Sequence, residues 1–169
     1  MEQLILVDEY GNQLGVADKL EAHKNGGMLH LAFSILVYNS RNELLLQKRA
    51  EQKYHFSGLW SNTCCGHPRP GEDIVQAARR RLNEEFGFSV PLQERFKFQY
   101  EAHDQCSGFT ERELVHILVG HYDGTPYPDK DEIGDWRWCS RDNIIQDVAS
   151  ADIEYTPWFR LIVQKFDLL

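Results

Sequence analysis

The chain lacks several features that would assign it to common protein classes. Its four cysteines form no C-x-x-C pair and no pattern typical of secreted disulfide frameworks, so we expect reduced thiols in a cytoplasmic protein. Residues 1–8 lack the basic segment and long apolar run of a signal peptide. No apolar stretch approaches the roughly 20 residues of a membrane span. We therefore expect no membrane partner.

Positive charge is also scarce, because 26 acidic residues outnumber 18 basic ones and give a net charge of −8. Bulk electrostatics of this sign argue against nucleic acid as a partner. A small anionic substrate would need a local cluster of cations or a metal ion. A length of 169 residues suits one domain with a real core, and no repeat or linker divides it, so we expect a single domain over residues 1–169.

Apolar runs separated by turn residues predict an α/β protein. The predicted strands are 4–7, 30–38, 43–49, 95–102, 110–122 and 136–139. The predicted helices are 72–86, 142–147 and 157–168. In the first helix, apolar residues recur every four positions, at Ile74, Ala78, Leu82 and Phe86, and Gly87 follows its end. These elements predict an α/β/α sandwich with a mixed sheet.

A motif with the spacing G-x5-E-x7-R-x-U-x-E-E-x-G-U, where U is a bulky residue, runs from Gly66 to Phe88. It resembles the Nudix signature of enzymes that act on diphosphates with divalent metal ions. One position departs from that signature, since Nudix hydrolases carry Glu where this chain has Arg81. A cation there cannot bind metal, which argues for a reaction on a diphosphate other than ordinary hydrolysis.

Histidines and carboxylates form a second set of candidate metal ligands. Glu111 and Glu113 lie two apart on a predicted strand, so both side chains face one side and repel each other unless a metal or proton intervenes. The candidate ligands are His23, His30, His67, Glu111 and Glu113. Such a mixed set suits Zn²⁺ or Mn²⁺. For His103, His116 and His121 we retain the ordinary interpretation of hydrogen-bonded surface groups.

Charged residues near the motif are open to two interpretations. Glu84 and Glu85 are either Mg²⁺ ligands or a solvated helix face. Arg81 and Glu85 are four apart on that helix and either form a simple ion pair or share a diphosphate and its Mg²⁺. The cations Lys19, Arg49 and Lys53 are either phosphate-binding or solvated surface groups.

The four cysteines differ in their context. Cys65 lies two residues from His67, and a nearby metal and arginine would depress its pKa and make it an acid/base group. For the other three, Cys64, Cys106 and Cys139, we expect packing roles.

Taken in order, several short segments resemble type I isopentenyl-diphosphate isomerases, the metal-dependent Nudix-fold enzymes of isoprenoid synthesis. The resemblance extends from about Leu4 to Trp158. Its most specific element is Cys65-Gly66-His67-Pro68 preceded by Trp60-Ser61-Asn62. The other matching segments are Ala22-His23, Leu29-His30-Leu31-Ala32-Phe33, Arg49-Ala50, Lys53, Glu85-Phe86-Gly87, Phe98-Gln99-Tyr100, Glu111-Arg112-Glu113 and Thr156-Pro157-Trp158.

The resemblance implies a reaction, cofactors and roles for the matching positions. The expected reaction interconverts isopentenyl and dimethylallyl diphosphate by protonation and deprotonation, in a monomer or homodimer. Catalytic roles fall to Cys65, Glu113, Tyr100 and Trp158. Substrate binding falls to Lys19, Arg49, Lys53 and Arg81. Metal binding falls to His23, His30, His67, Glu111 and Glu113 for Mn²⁺ or Zn²⁺, and to Glu85 for Mg²⁺. Cys65 is also a candidate metal-binding residue, with no particular ion assigned to it.

Two other functions remain open from the residues alone. A Nudix diphosphohydrolase of nucleotides or related compounds would carry a glutamate at position 81, and Arg81 opposes it. A non-catalytic zinc module would use a closed site with four ligands, usually rich in cysteine, and five ligands that include two carboxylates fit this poorly.

Overall fold

The computed structural model describes residues 2–150 and 153–165. Within these ranges it contains nine strands and four helices. The strands are β1 (Gln3–Val7), β2 (Gln13–Asp18), β3 (His30–Tyr38), β4 (Leu44–Arg49), β5 (Trp60–Ser61), β6 (Cys64–Gly66), β7 (Gln93–His103), β8 (Thr110–His121) and β9 (Ile133–Cys139). The helices are α1 (Lys19–Ala22), α2 (Ile74–Phe86), α3 (Arg141–Ser150) and α4 (Pro157–Lys165).

Strand β3 is the centre of a mixed sheet. It pairs in parallel with β8 over nine residue pairs, and antiparallel with β1, β4 and β6. Because successive side chains of a strand point to opposite faces, Phe33, Ile35 and Val37 pack on one face with α2. On the other face, Ala32 and Leu36 pack in the core that contains α4. The predicted α/β/α sandwich with a mixed sheet is confirmed.

Strands β3 and β4 are joined by a short turn and diverge directly after it. The two strands pair only at Tyr38 and Leu44. Further along, the segment 60–66 lies between them, because β5 pairs with β4 and β6 pairs with β3. Side chains of this segment satisfy backbone groups on both sides, as Thr63 Oγ1 accepts from Val37 N and donates to Leu45 O. The divergence makes room for a cavity at that end of the sheet.

Helix α2 begins two residues later than the sequence predicted. Asp73 is its N-cap, and its side chain accepts hydrogen bonds from Val75 N and Gln76 N, both at 3.0 Å. The helix ends as predicted, with Gly87 in the left-handed conformation at φ 71°. Its apolar stripe is confirmed, since Ala78, Leu82 and Phe86 are fully buried.

Other predicted elements are shifted at their ends rather than misplaced. Strands β7 and β9 and helix α3 are longer than expected, and β2, α1, β5 and β6 were not predicted. Helix α4 is described to Lys165, and the predicted continuation to residue 168 lies outside the described residues. None of the described helices is both long enough and apolar enough to cross a bilayer.

Candidate active site and metal centre

A cavity of about 130 Å³ opens where β3 and β4 diverge. Its walls include nearly all of the residues to which the resemblance assigned a role. These are Lys19, Arg49, Lys53, Cys65, His67, Arg81, Glu85, Tyr100, Glu111, Glu113 and Trp158. The two remaining residues, His23 and His30, are fully buried beside it. Residues far apart in sequence therefore meet in one place.

Strand register positions the centre of the site. Glu113 on β8 is paired with His30 on β3 and with Tyr100 on β7. On the other side of β3, Ser34 is paired with Cys65 on β6. Four neighbouring strands thus place a phenol, a carboxylate, an imidazole and a thiol beside the same cavity.

The loop that carries His23 is held against the start of β8. Thr110 N donates to His23 O at 2.8 Å, and Met28 N donates to Ala22 O at 2.7 Å. Gly27 makes this close approach possible, since its φ is 74° and a Cβ there would lie 2.8 Å from Thr110 O. His23 is thereby brought next to Glu111, 88 residues away in sequence.

Four potential ligands converge at the buried end of the site. One ligand atom from each lies within 4.8 Å of all the others, and the residues are His23, His30, His67 and Glu111. Glu113 adjoins them, with Oε1 3.0 Å from His67 Nε2 and 3.6 Å from His30 Nε2. Three imidazoles and two carboxylates form a donor set that suits Zn²⁺ or Mn²⁺.

Backbone carbonyls fix the orientation of two of these imidazoles. Nδ1 of His23 lies 2.5 Å from Lys19 O, and Nδ1 of His30 lies 2.8 Å from Met28 O. A carbonyl can only accept, so each Nδ1 carries the proton and each Nε2 faces the cluster. His30 Nε2 is buried and has no hydrogen-bond partner among the described residues. The arrangement fits a metal ion, for which this nitrogen would be a ligand.

Protons balance the charges of the cluster when no metal is bound. Burial is the largest single influence on the pKa of His23 and lowers it, but the hydrogen bond and charge of Glu111, the Lys19 carbonyl and the charge of Glu113 together raise the pKa overall. Burial alone would raise the pKa of Glu111, yet the hydrogen bonds from His23 and His55 hold it well below its usual range. The proton that His23 shares with Glu111 thus compensates the negative charge of this carboxylate. A bound divalent cation would compensate the same charge.

Glu113 connects the ligand cluster to the cavity. Its Oε2 accepts a hydrogen bond of 2.6 Å from Tyr100 Oη. Burial and the charge of Glu111 each raise the pKa of Glu113, but its contacts with His30 and His67 leave that pKa lowered overall. The buried carboxylate is therefore ionised and faces a neutral phenol, whose own pKa is raised by burial and by Glu113.

Cys65 differs from the expectation drawn from the sequence. Its Sγ lies 3.3 Å from Asn62 Oδ1 and 3.4 Å from Ser34 Oγ. Burial raises the pKa of the Cys65 thiol to about 11, the opposite direction to the depression expected beside a bound metal ion. Desolvation disfavours the thiolate more than the nearby polar groups favour it. The four cysteines are all free, and Cys106 is exposed rather than packed as expected.

The predicted phosphate-binding cations already have partners in the protein. Arg81 contacts Glu85, and its Nη1 donates to Glu84 Oε2 at 2.8 Å. Lys53 Nζ contacts Glu132, whose other oxygen lies 3.5 Å from Arg81 Nη2. Burial lowers the pKa of Lys53 to about 8. These cations form an ion-pair network that lines the cavity rather than a solvated surface.

Arg49 and Trp158 also line the cavity. Arg49 donates from Nε to Phe56 O at 3.0 Å and from Nη2 to His55 O at 3.1 Å. Its guanidinium carbon lies 5.6 Å from the centre of the Trp158 ring, which is a cation–π distance. Trp158 is 3% exposed and donates from Nε1 to Ser61 Oγ at 3.0 Å. The ring is therefore fixed in its orientation towards the cavity.

Comparisons with known proteins agree with this geometry. The NUDIX domain family matches residues 28–159. The chain is 51% identical over 166 residues to the isopentenyl-diphosphate Delta-isomerase of Halorhodospira halophila, covering 98% of this chain and 95% of that protein. It is 45% identical over 167 residues to the enzyme of the same name from Burkholderia multivorans, covering 99% and 94%. The chain belongs to the isopentenyl-diphosphate Delta-isomerase family.

Solved structures place this isomerase family member in the Nudix fold. A protein from Deinococcus radiodurans superposes with a TM-score of 0.79 at 18% identity, covering 96% of this chain and 98% of its own. The MutT protein from Methanosarcina mazei superposes with a TM-score of 0.68 at 18% identity, covering 82% and 93%. At such identities the likeness concerns the fold alone.

The sequence reasoning missed two residues in the site of this isomerase family member. His55 is buried and its Nε2 contacts Glu111 Oε1, and Glu132 contacts both Lys53 and Arg81. Neither belongs to a segment that carried the resemblance. His55 lies between the predicted strand 43–49 and the predicted helix 72–86, and only its position two residues after Lys53 gave a local signal.

Proposed function

We propose that the protein interconverts isopentenyl diphosphate and dimethylallyl diphosphate as a single isomerase domain spanning residues 1–169. The observation that carries the proposal is the meeting of Cys65 and Glu113 in one cavity that is also lined by Lys19, Lys53 and Arg81. An isomerase of this substrate needs both a cluster of cations and a pair of groups that transfer protons. The cations hold the diphosphate, and a proton donor and acceptor act on the hydrocarbon end.

The reaction moves one proton onto the substrate and one proton off it. The terminal alkene carbon gains a proton, a tertiary cationic centre develops, and C2 then loses a proton to give the allylic isomer. Burial keeps Cys65 as a thiol, and the neighbouring histidines keep Glu113 as a carboxylate. The pair thus holds one transferable proton, as this reaction requires, and its members exchange roles when the direction reverses.

The walls of the cavity suit a cationic intermediate. Trp158 and Tyr100 are 3% and 8% exposed, and their rings lie 6.2 Å apart. Such walls exclude water that would capture the cation, and the Trp158 face can stabilise positive charge. Tyr100 holds the Glu113 carboxylate at one oxygen, which fixes the direction in which its other oxygen faces.

Metal ions complete the proposal. His23, His30, His67, Glu111 and Glu113 would hold Zn²⁺ or Mn²⁺, whose charge would compensate the two buried carboxylates and help to position Glu113. Glu85 is 4% exposed, lines the cavity beside Arg81 and would hold Mg²⁺ for the diphosphate. We place the enzyme in the cytoplasm, since all four cysteines are free, and as a monomer or homodimer.

Product analysis by ¹H and ³¹P NMR tests the proposal. Purified protein with isopentenyl diphosphate, Mg²⁺ and Mn²⁺ or Zn²⁺ is expected to form dimethylallyl diphosphate with no release of phosphate, and a chelator is expected to stop the conversion. Unchanged substrate with the metals present would contradict the proposal. Phosphate release instead of isomerisation would favour the diphosphohydrolase.

A further inference from the structure

His55 lies beside the metal centre but outside the group of converging ligands. It stands on the loop between β4 and β5 and is 7% exposed. Its Nε2 contacts Glu111 Oε1 across 56 residues of sequence. The four residues whose ligand atoms converge do not include it. Its polar contact is thus with a ligand and not with the centre of the cluster.

The two oxygens of Glu111 face different partners. Oε2 lies 2.8 Å from His23 Nε2 and 3.8 Å from His30 Nε2, on the side of the cluster. Oε1 contacts His55. Rotation of the carboxylate about its last bond would break the His55 contact, so His55 restricts Glu111 to the orientation in which Oε2 faces the cluster.

His55 is itself held firmly enough to orient another group. Its carbonyl oxygen accepts from Arg49 Nη2 at 3.1 Å, and the next residue, Phe56, donates from its backbone N to Asp104 Oδ2 at 3.1 Å. The Tyr54 ring stacks on the imidazole with centroids 4.2 Å apart. The buried Nδ1 has no hydrogen-bond partner among the described residues. The ring therefore carries its proton on Nε2 and donates it to Glu111.

We propose that His55 is a positioning residue of the metal centre, which acts by donating a hydrogen bond from Nε2 to Glu111 Oε1. This inference rests on the metal centre of the proposed function. Groups that hydrogen-bond to metal ligands typically change metal affinity by about 10–100-fold when they are removed. His55 is expected to have an effect of this size without binding the metal itself.

Metal affinity tests the inference independently of catalysis. Zn²⁺ and Mn²⁺ dissociation constants are measured by competition with a chelator of known affinity. His55→Ala is expected to weaken binding about 10–100-fold, and His55→Gln, whose amide can still donate, to recover part of the loss. The control is His116→Ala, which removes a histidine on the opposite face of β8 that pairs with Glu94 at 3.1 Å. It is expected to leave the affinity unchanged.

A second background separates positioning from direct ligation. In a Glu111→Ala protein, adding His55→Ala is expected to cause no further loss, because the orienting contact is already gone. An equal loss in both backgrounds would overturn the positioning role, and so would wild-type affinity in folded His55→Ala. Circular dichroism of the metal-free proteins checks folding, and if His55→Ala unfolds, the comparison of His55→Gln with the wild type decides. Absence of metal binding by the wild type would instead overturn the metal centre of the proposed function.

Discussion

Tyr100 donates a 2.6 Å hydrogen bond from its Oη to Oε2 of Glu113, whose other oxygen lies 3.0 Å from His67 Nε2. Glu113 is thus held between the aromatic wall of the cavity and the histidine cluster. The register of β7 and β8, which pairs these two residues directly, fixes this arrangement. A proton acceptor at this position is oriented before any substrate binds.

Tyr100→Phe removes the hydrogen bond and keeps the ring. We expect kcat to fall about 100-fold, since a positioned acid/base group typically contributes at least that much. KM for the diphosphate is expected to stay within about twofold, because the hydrogen bond of Tyr100 is to Glu113 and not to Lys19, Lys53 or Arg81. Steady-state kinetics on both parameters check this. As a control, Tyr38→Phe alters a buried tyrosine that does not line the cavity, and wild-type kcat in Tyr100→Phe would contradict the role.

The lowered pKa of Lys53 predicts that substrate binding depends on pH. Burial lowers its pKa to about 8, so the cation is present below pH 8 and is lost as the pH rises above it. We expect kcat/KM to fall above about pH 8, well below the pKa of roughly 10.4 of an ordinary lysine. In Lys53→Arg the side chain stays charged, and the fall near pH 8 is expected to disappear. Its persistence in that variant would assign the titration to another group.

We expect Glu132 to compete with the diphosphate for two cations. It contacts Lys53 and lies 3.5 Å from Arg81 Nη2 in the substrate-free protein. Glu132→Gln removes the competing charge, and we expect KM to fall about fivefold, the equivalent of roughly 1 kcal/mol. Glu94→Gln, which alters a carboxylate remote from the cavity, is expected to leave KM unchanged. An increase of KM in Glu132→Gln would show that the carboxylate assists binding instead.

We expect Glu72, the first glutamate of the motif, to contribute to stability rather than to catalysis. Arg80 donates to both of its oxygens at 2.8 Å and lowers the pKa of Glu72 to about 2. This stabilisation is complete above the unfolded-state pKa of roughly 4.3 and is lost as the pH falls towards 2. Glu72→Gln is expected to lose about 1–2 kcal/mol at pH 7, after allowance for solvent screening, and less at pH 3.

Denaturant unfolding of both proteins at several pH values measures this difference. An equal loss at pH 7 and pH 3 would rule out the ionised pair as its source. The effect is expected to vanish in an Arg80→Ala background, because the partner of the carboxylate is then absent. In contrast to Tyr100→Phe, the Glu72 variant is expected to retain wild-type kcat.

Local patterns in the sequence predicted much of the fold. The helix with Ile74, Ala78, Leu82 and Phe86 on one face, and its end at Gly87, required only periodicity and glycine geometry. Its start was misplaced because Glu72 and Asp73 looked like first-turn acids, whereas Asp73 is the cap. Short strands such as β5 and β6 carry too few residues to show a period, and only pairing with β3 and β4 defines them.

The sequence motifs predicted those site residues that the motifs themselves contain. The other residues of the site depend on tertiary contacts. The two-residue spacing of Glu111 and Glu113 indicated one face of a strand, and both are buried there. The raised pKa of Cys65 followed from burial, which neighbouring residues in the sequence do not reveal. His55 and Glu132 were missed because their partners lie 56 and 79 residues away.

Deuterium incorporation by matched cysteine variants tests the central claim most directly, since Cys64 and Cys65 are adjacent and only Cys65 lines the cavity. Wild-type protein and Cys64→Ala, supplied with isopentenyl diphosphate and metals in D₂O, are expected to yield deuterated dimethylallyl diphosphate by ¹H NMR. Cys65→Ala and Glu113→Gln, folded by circular dichroism, are expected to incorporate none. Deuterium incorporation at the wild-type rate in either of the last two variants would contradict proton transfer by Cys65 and Glu113.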